Sequence, residues 1–282
     1  MTRFLAATVE YDAPSPFVSE TSNTSRLKPP LKWAGGKRWL VPHLAPIWTE
    51  HIHRRLVEPF CGGLAVTLGL APEEALLNDI NPHLVNFYHH LRRGLQIQMP
   101  MRNSESAYYA ARRKFNGLLR DEQHDSQEAA ELFYYLNRTG YNGLCRFNRQ
   151  GGFNVPFGRY QTIGYTRDFS NYAEVLSRWQ FRNVDFEKLR LRPDDFIYAD
   201  PPYDVEFTSY SKDGFNWEDQ VRLANWLVAH TGPVVLSNQA TGRVVKLYRA
   251  LGFRLRFLQA PRLINCTGDR TPAKEVLAMK NL

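Results

Sequence analysis

Apolar and polar positions change rhythm several times along this chain of 282 residues. Leu56-Val57-Glu58-Pro59-Phe60 reads as a short strand running into a glycine turn, Cys61-Gly62-Gly63, with a helical stretch from Leu64 to Leu70 behind it. Ala75-Leu76-Leu77-Asn78-Asp79 reads as a second strand that ends in an acid. Strand, glycine turn, helix and strand make one βαβ unit of a parallel sheet. From about 83 to 140 the apolar positions recur at three and four, as in Leu132-Phe133-Tyr135-Leu136, which predicts helices. Between Phe147 and Val155, two β-prone runs flank Gly151-Gly152, a hairpin signal. Strand and helix alternate again from about 175. The predicted elements are a buried strand at Phe196–Ala199, an amphipathic helix from Asp219 to Ala229, a strand at Pro233–Ser237 and a closing strand at Glu275–Met279.

This order predicts one α/β domain, residues 29–85 and 176–282, interrupted at 86–175 by a mainly helical insert that carries a β-hairpin. Residues 1–28 are rich in Ser, Thr and Pro without apolar period, and read as a disordered arm. There is no internal repeat.

Composition narrows the class. With 43% hydrophobic and 23% charged residues the chain can bury a core. No apolar run approaches the roughly 18 residues of a membrane helix, and no secretory leader pattern opens the chain. No membrane partner is expected. Cys61, Cys145 and Cys266 lie far apart without a CxxC pair, which argues against a disulfide framework and a zinc site and fits a reducing cytoplasm. No metal is expected. The net charge of +8 attracts polyanions such as nucleic acid, although charge alone does not separate that partner from a plain basic surface.

Asp200-Pro201-Pro202-Tyr203 follows the strand Phe196–Ala199 directly, and the active sites of open α/β sheets lie outside the carboxyl ends of strands. The tetrad suits work on an aromatic amine, whose lone pair is delocalised into its ring. A carboxylate at Asp200 can accept one N–H and the Pro201 carbonyl the other, which frees the lone pair. Two prolines fix φ and so pre-set the carbonyl direction. Tyr203 can stack on a base. The bland alternative is a rigid strand-to-loop turn. Phe60–Gly63 with Asp79 fits a ligand approached by backbone and a ribose held by an acid, although any tight βα turn looks similar. Lys32-Trp33-Ala34-Gly35-Gly36-Lys37 is no phosphate loop, because Leu31 stands where the first glycine belongs and Arg38 follows the lysine.

These motifs, with Asn78-Asp79-Ile80-Asn81, occur in this order in Dam-type DNA adenine methyltransferases, the D12 class. So do Leu136 to Arg146, the run LNRTGYNGLCR, and Gly152 to Tyr160, the run GFNVPFGRY. The chain resembles that class from about Pro29 onward. The resemblance implies a Rossmann-like methyltransferase domain, S-adenosyl-L-methionine as cofactor, and 86–175 as target-recognition insert. It implies methyl transfer to N6 of an adenine flipped out of double-stranded DNA, within GATC. Catalytic roles fall on Asp200, Pro201, Pro202 and Tyr203. Cofactor contacts fall on Trp33, Lys37, Phe60, Gly62, Asp79, Asp185, Phe186 and Asp200. DNA contacts fall on Lys32, Tyr141, Asn142, Leu144, Arg146, Asn148, Pro156, Arg159 and Tyr210, and the loop from Phe207 to Tyr210 with Gly214-Phe215 would close over the flipped base.

Two departures stand out. The second glycine of the turn is displaced to Gly63, and Ser237-Asn238-Gln239-Ala240 lacks the His-Asp that often follows the Asn in relatives. The expected protein is a cytoplasmic, nucleoid-associated monomer. Orphan, restriction-system and phage-borne origins stay open. A cytosine N4 methyltransferase usually begins the tetrad with Ser, so Asp200 argues against it. A DNA-binding module without catalysis would not need Asp200 and Asp79 together.

Overall fold

The computed structural model describes residues 27–204, 214–261 and 273–282. The expected arm, up to residue 26, and the Phe207–Tyr210 segment therefore lie outside the described residues, as does Cys266.

Seven strands form one sheet: β1 (Leu56–Glu58), β2 (Ala75–Asn78), β3 (Trp179–Arg182), β4 (Phe196–Ala199), β5 (Val234–Gln239), β6 (Arg254–Ala260) and β7 (Ala273–Lys280). Their order is β3-β2-β1-β4-β5-β7-β6. β1 to β5 are mutually parallel, and β7 pairs antiparallel with both β5 and β6. This is the Rossmann-like order, with its switch point between β1 and β4, where a ligand crevice opens at the carboxyl ends. β1, β2 and β4 are buried throughout, as parallel strands covered on both faces must be.

The helices follow from local sequence. α1 (Val41–Thr49) and α2 (Ala65–Leu70) pack on one face with α3 (Pro82–Leu91), α4 (Glu105–Arg120), α5 (Gln127–Thr139) and α6 (Ser170–Leu176). α7 (Trp217–Val228) and α8 (Gly242–Ala250) cover the other face. α7 starts two residues before the sequence expectation. Asn216 Oδ1 accepts from the Asp219 amide at 2.9 Å and Asp219 Oδ2 from the Asn216 amide at 3.1 Å, a reciprocal cap that fixes the first turn.

The insert has no separate core. One cluster of buried side chains runs from Leu56 and Leu77 of the sheet through Phe87 of α3 to Phe133 and Tyr134 of α5. The expected hairpin is a looped pair of arms rather than two strands. Phe147 and Phe153 make a single antiparallel bridge, and Gly140 and Phe157 make another. At the tip, Asn148 Oδ1 accepts from the Gln150 and Gly152 amides at 3.0 and 2.9 Å. The side chain thus tightens a turn whose arms are also joined by backbone bonds, Asn148 N–H to the Gly152 carbonyl at 2.8 Å and Asn154 N–H to the Arg146 carbonyl at 3.1 Å. Asn116 of α4 holds the far arm, accepting from the Phe153 amide at 2.8 Å and donating to its carbonyl at 3.1 Å.

Candidate active site

The ends of β1, β2 and β4 and the loop 33–37 enclose a cavity of about 460 Å³. Its walls include Trp33, Lys37, Phe60, Gly62, Asp79 and the whole Asp200–Tyr203 tetrad, so the sequence motifs converge on one place.

The glycine turn is shaped by Trp33. A Cβ at Gly62, where φ is +43°, would stand 2.7 Å from the indole nitrogen, and one at Gly63 would stand 2.8 Å from the Trp33 Cβ. Gly63 thus makes room for the tryptophan, and Leu64 after it takes a left-handed φ of +61°. Tyr88 donates to the Gly62 carbonyl from below. Asn78, buried at the end of β2, donates to the carbonyls of Pro59 and Val184 at 3.0 Å each and so ties the β1 turn to the end of β3.

Asp79 is braced on both oxygens. Oδ2 accepts from the Gly62 amide at 3.1 Å and Oδ1 from the Asn81 amide at 3.0 Å. Burial raises its carboxyl above the usual range, and these two amides pull it back. Each oxygen keeps a further lone pair. Ile80 beside it lines the cavity while 70% exposed.

The tetrad is held from behind. Asp200 Oδ1 accepts from the Ser237 hydroxyl at 2.8 Å and lies 3.1 Å from the Lys37 ammonium. Oδ2 has no partner among the described residues. Burial raises the Asp200 carboxyl, against the pull of Lys37 and Ser237. Gln220 of α7 donates to the Pro202 carbonyl at 2.8 Å, and buried Asn238 donates to Gln220 Oε1 at 2.9 Å. No described residue donates to the Pro201 carbonyl. Ser237 and Asn238, whose role the sequence left open, are therefore the struts of the tetrad. Asp204 next along the chain is clamped by Arg243.

Lys37 is 5% exposed. Its ammonium reaches Asp200, Tyr203 and, at 3.7 Å, Glu275 Oε1, so it stands at the tetrad end of the cavity. Glu275 escaped the sequence reading, as did Glu58. The latter is buried under the cavity, takes a hydrogen bond from Thr67, and is pushed by burial up to about 8. Asp185 and Phe186 do not line the cavity. Phe186 sits behind Phe60, ring centroids 5.7 Å apart, with Phe215 5.4 Å from Phe60. Arg222 grips the Asp185 carboxylate at 2.9 and 3.0 Å and holds it below the usual range.

The expected DNA-facing residues from Tyr141 to Arg159 lie on the insert's two arms, and Lys32 lies on the loop before α1. Tyr141 is 43% exposed, and its amide donates to the Pro156 carbonyl at 3.0 Å. Asn142 and Arg159 both adopt left-handed φ, +51° each. Leu144 is half-buried, Arg159 exposed and 3.6 Å from Glu105. Arg146 donates from Nε to Asn154 Oδ1 at 2.8 Å. Lys32 donates from its ammonium to the Arg138 carbonyl at 3.1 Å and lies 3.6 Å over the Tyr160 ring. Asn137 clamps the Lys32 backbone at both its amide and its carbonyl, 2.9 and 2.7 Å. The loop that carries Lys37 is thus tied to the insert.

The family model described as D12 class N6 adenine-specific DNA methyltransferase matches residues 33–257. The retron Ec67 DNA adenine methylase of Escherichia coli is 35% identical over 265 residues, 88% of this chain and 90% of that protein. A DNA adenine methylase of Vibrio cholerae is 36% identical over 271 residues, 88% of this chain and 94% of that one. The type II methyltransferase M1.LlaDCHI of Lactococcus lactis subsp. cremoris is 34% identical over 260 residues, 85% of this chain and 90% of its own length.

Proposed function

The chain belongs to the D12 class of N6 adenine-specific DNA methyltransferases, and from that premise we propose that it methylates adenine within GATC in double-stranded DNA, on a base flipped into the cavity beside Asp200. The family implies S-adenosyl-L-methionine, and the cavity suits it. The volume is of ligand size. Asp79 offers spare lone pairs to two ribose hydroxyls, and the half-exposed Phe60 ring offers a stacking face. When bound, the cofactor supplies an electrophilic methyl on a sulfonium.

One observation carries the mechanism. Asp200 is fixed through Oδ1 while Oδ2 stays open at the cavity. Asp200 Oδ2 accepts one N–H of the target amine, and the open Pro201 carbonyl accepts the other. Both pull electron density from the ring onto N6 and line the lone pair up for attack. A bound cofactor would give up its methyl and keep the electrons of the C–S bond, and Asp200 Oδ2 is placed to take the surplus N6 proton. Tyr203 presents its ring to the base. An adenine inside a duplex cannot reach a carboxylate at a strand end, so the base must leave the stack.

GATC rests on the likeness of 136–146 and 152–160 to the recognition segments of that class, and the insert, residues 86–175, is its carrier. The N-terminal arm, the closing loop through Tyr210 and the monomeric state belong to the same proposal. The test is to express the chain in cells free of adenine methylation and map N6-methyladenine across their DNA. Methylation of the adenine in GATC is expected. A different motif would overturn the specificity, and no adenine mark the function.

A further inference from the structure

β7 is the strand that sequence order least prepares for. Because it runs antiparallel between β5 and β6, its first residues lie at the carboxyl edge of the parallel strands, beside the cavity. Glu275 pairs there with Gln239, two residues beyond Ser237 on β5. Its side chain is buried at 4% exposure. Oε1 accepts from the Tyr203 hydroxyl and lies 3.7 Å from the Lys37 ammonium, while Oε2 has no partner among the described residues. A carboxylate buried with one bare oxygen is costly, and a neighbouring cation is what offsets it.

We propose that Glu275 is a positioning residue for methyl transfer, sharing the Lys37 ammonium with Asp200 and holding the Tyr203 hydroxyl so that Lys37 does not neutralise Asp200. Burial raises both carboxyls and Lys37 pulls both back; with both ionised, they and the one ammonium leave one net negative charge at the end of the cavity where the amine turns cationic as the methyl arrives. Asp200 and Lys37 alone would make a neutral pair and a weaker acceptor. The same shared ammonium, with the Tyr203 hydroxyl, fixes the ring that faces the base. Other ionisable groups near Asp200 are Glu58 from β1, Tyr198 from β4 and Tyr248 from α8. Glu58 and both tyrosines are held by burial in their neutral forms at pH 7. Lys37, Glu275 and Asp200 therefore set the charge.

The inference rests on the reading of Asp200 as amine acceptor. The experiment is single-turnover methylation of a GATC duplex by Glu275→Gln, Glu275→Asp and parent across pH 5 to 9, with cofactor and DNA dissociation constants measured alongside. Glu275→Gln keeps the acceptor for Tyr203 and removes the charge. Its plateau rate is expected to fall by about tenfold to a hundredfold with both dissociation constants held within about threefold. Its acid limb is expected to move down by roughly half a pH unit or more, because Lys37 then acts on Asp200 undivided. Glu275→Asp, which keeps the charge, is expected to retain most of the rate. If Glu275→Gln does not fold, Glu275→Asp decides alone: drawn back from Lys37, it should shift the limb the same way by less. A parent-like rate in Glu275→Gln, an unmoved limb or equal losses in the two variants would overturn the proposal. Failure of Asp200 itself as acceptor is read separately, from Asp200→Ala.

Discussion

Glu58 is a carboxyl with no cation to meet it among the described residues, accepting from Thr67 at the floor of the cavity. Burial pushes it up to about 8, whereas in the unfolded chain it ionises near 4.5. Between those values the folded protein keeps a proton that the unfolded chain has lost. The stability this group contributes is full below pH 4.5, falls as pH rises, and levels off above about 8. Glu58→Gln cannot ionise and removes the slope. In denaturant titrations from pH 5.5 to 7.5 the variant should gain on the parent by roughly 1.4 kcal/mol per pH unit. Parallel pH curves for the two proteins would show that Glu58 is not protonated in the fold. At this scale the sequence was readable wherever a motif ended a strand. Asp79 and Asp200 were found because each stands at the carboxyl end of a short apolar strand. Glu275 was hidden, because nothing in a one-dimensional pattern says that a late strand returns antiparallel to the edge where Lys37 and Asp200 wait.

Among elements, buried parallel strands were the most legible, since β1, β2 and β4 are apolar runs bounded by turn residues. β3 offered a signal that went unread: Trp179 and Phe181 point in while Gln180 and Arg182 point out. β6 offered none. It is an edge strand with exposed Arg254 and Arg256 and a 38% exposed Phe257. The hairpin was legible as a turn, and its short ladder, Asn148 to Gly152 and Arg146 to Asn154, is reinforced by the side chains of Asn148 and Asn116. Its arms matter through Arg146. Nε and Nη2 of that side chain are steadied by Asn154, and Nη1 has no partner among the described residues. A guanidinium steadied on one side is suited to guanine O6 and N7 in the major groove. Arg146→Ala should therefore cost about 1–3 kcal/mol against the correct base and little against a substituted one. Methylation rates on duplexes varied singly around the target, at two salt concentrations, would check this. Equal losses on every duplex, with a salt slope reduced by about one, would make Arg146 a phosphate anchor instead.

For the whole molecule, the net charge of +8 and the family agree on a nucleic-acid partner. No helix among the described residues is long and apolar enough to cross a membrane. Sheet and insert share one core, and Asn137 ties the insert to the loop that carries Lys32, Trp33 and Lys37. The insert and the loop that lines the cavity are thus mechanically joined. Removing the Asp200 carboxylate leaves Lys37 with Glu275 and leaves the insert untouched, so binding and chemistry can be separated. The measurement is single-turnover methyl transfer to a GATC duplex by Asp200→Ala, with DNA affinity measured on the same preparation. The account predicts a rate lower by about a thousandfold or more, with affinity near the parent's. A rate within tenfold of the parent would contradict it, because an amine that reacts without Asp200 was never activated by it.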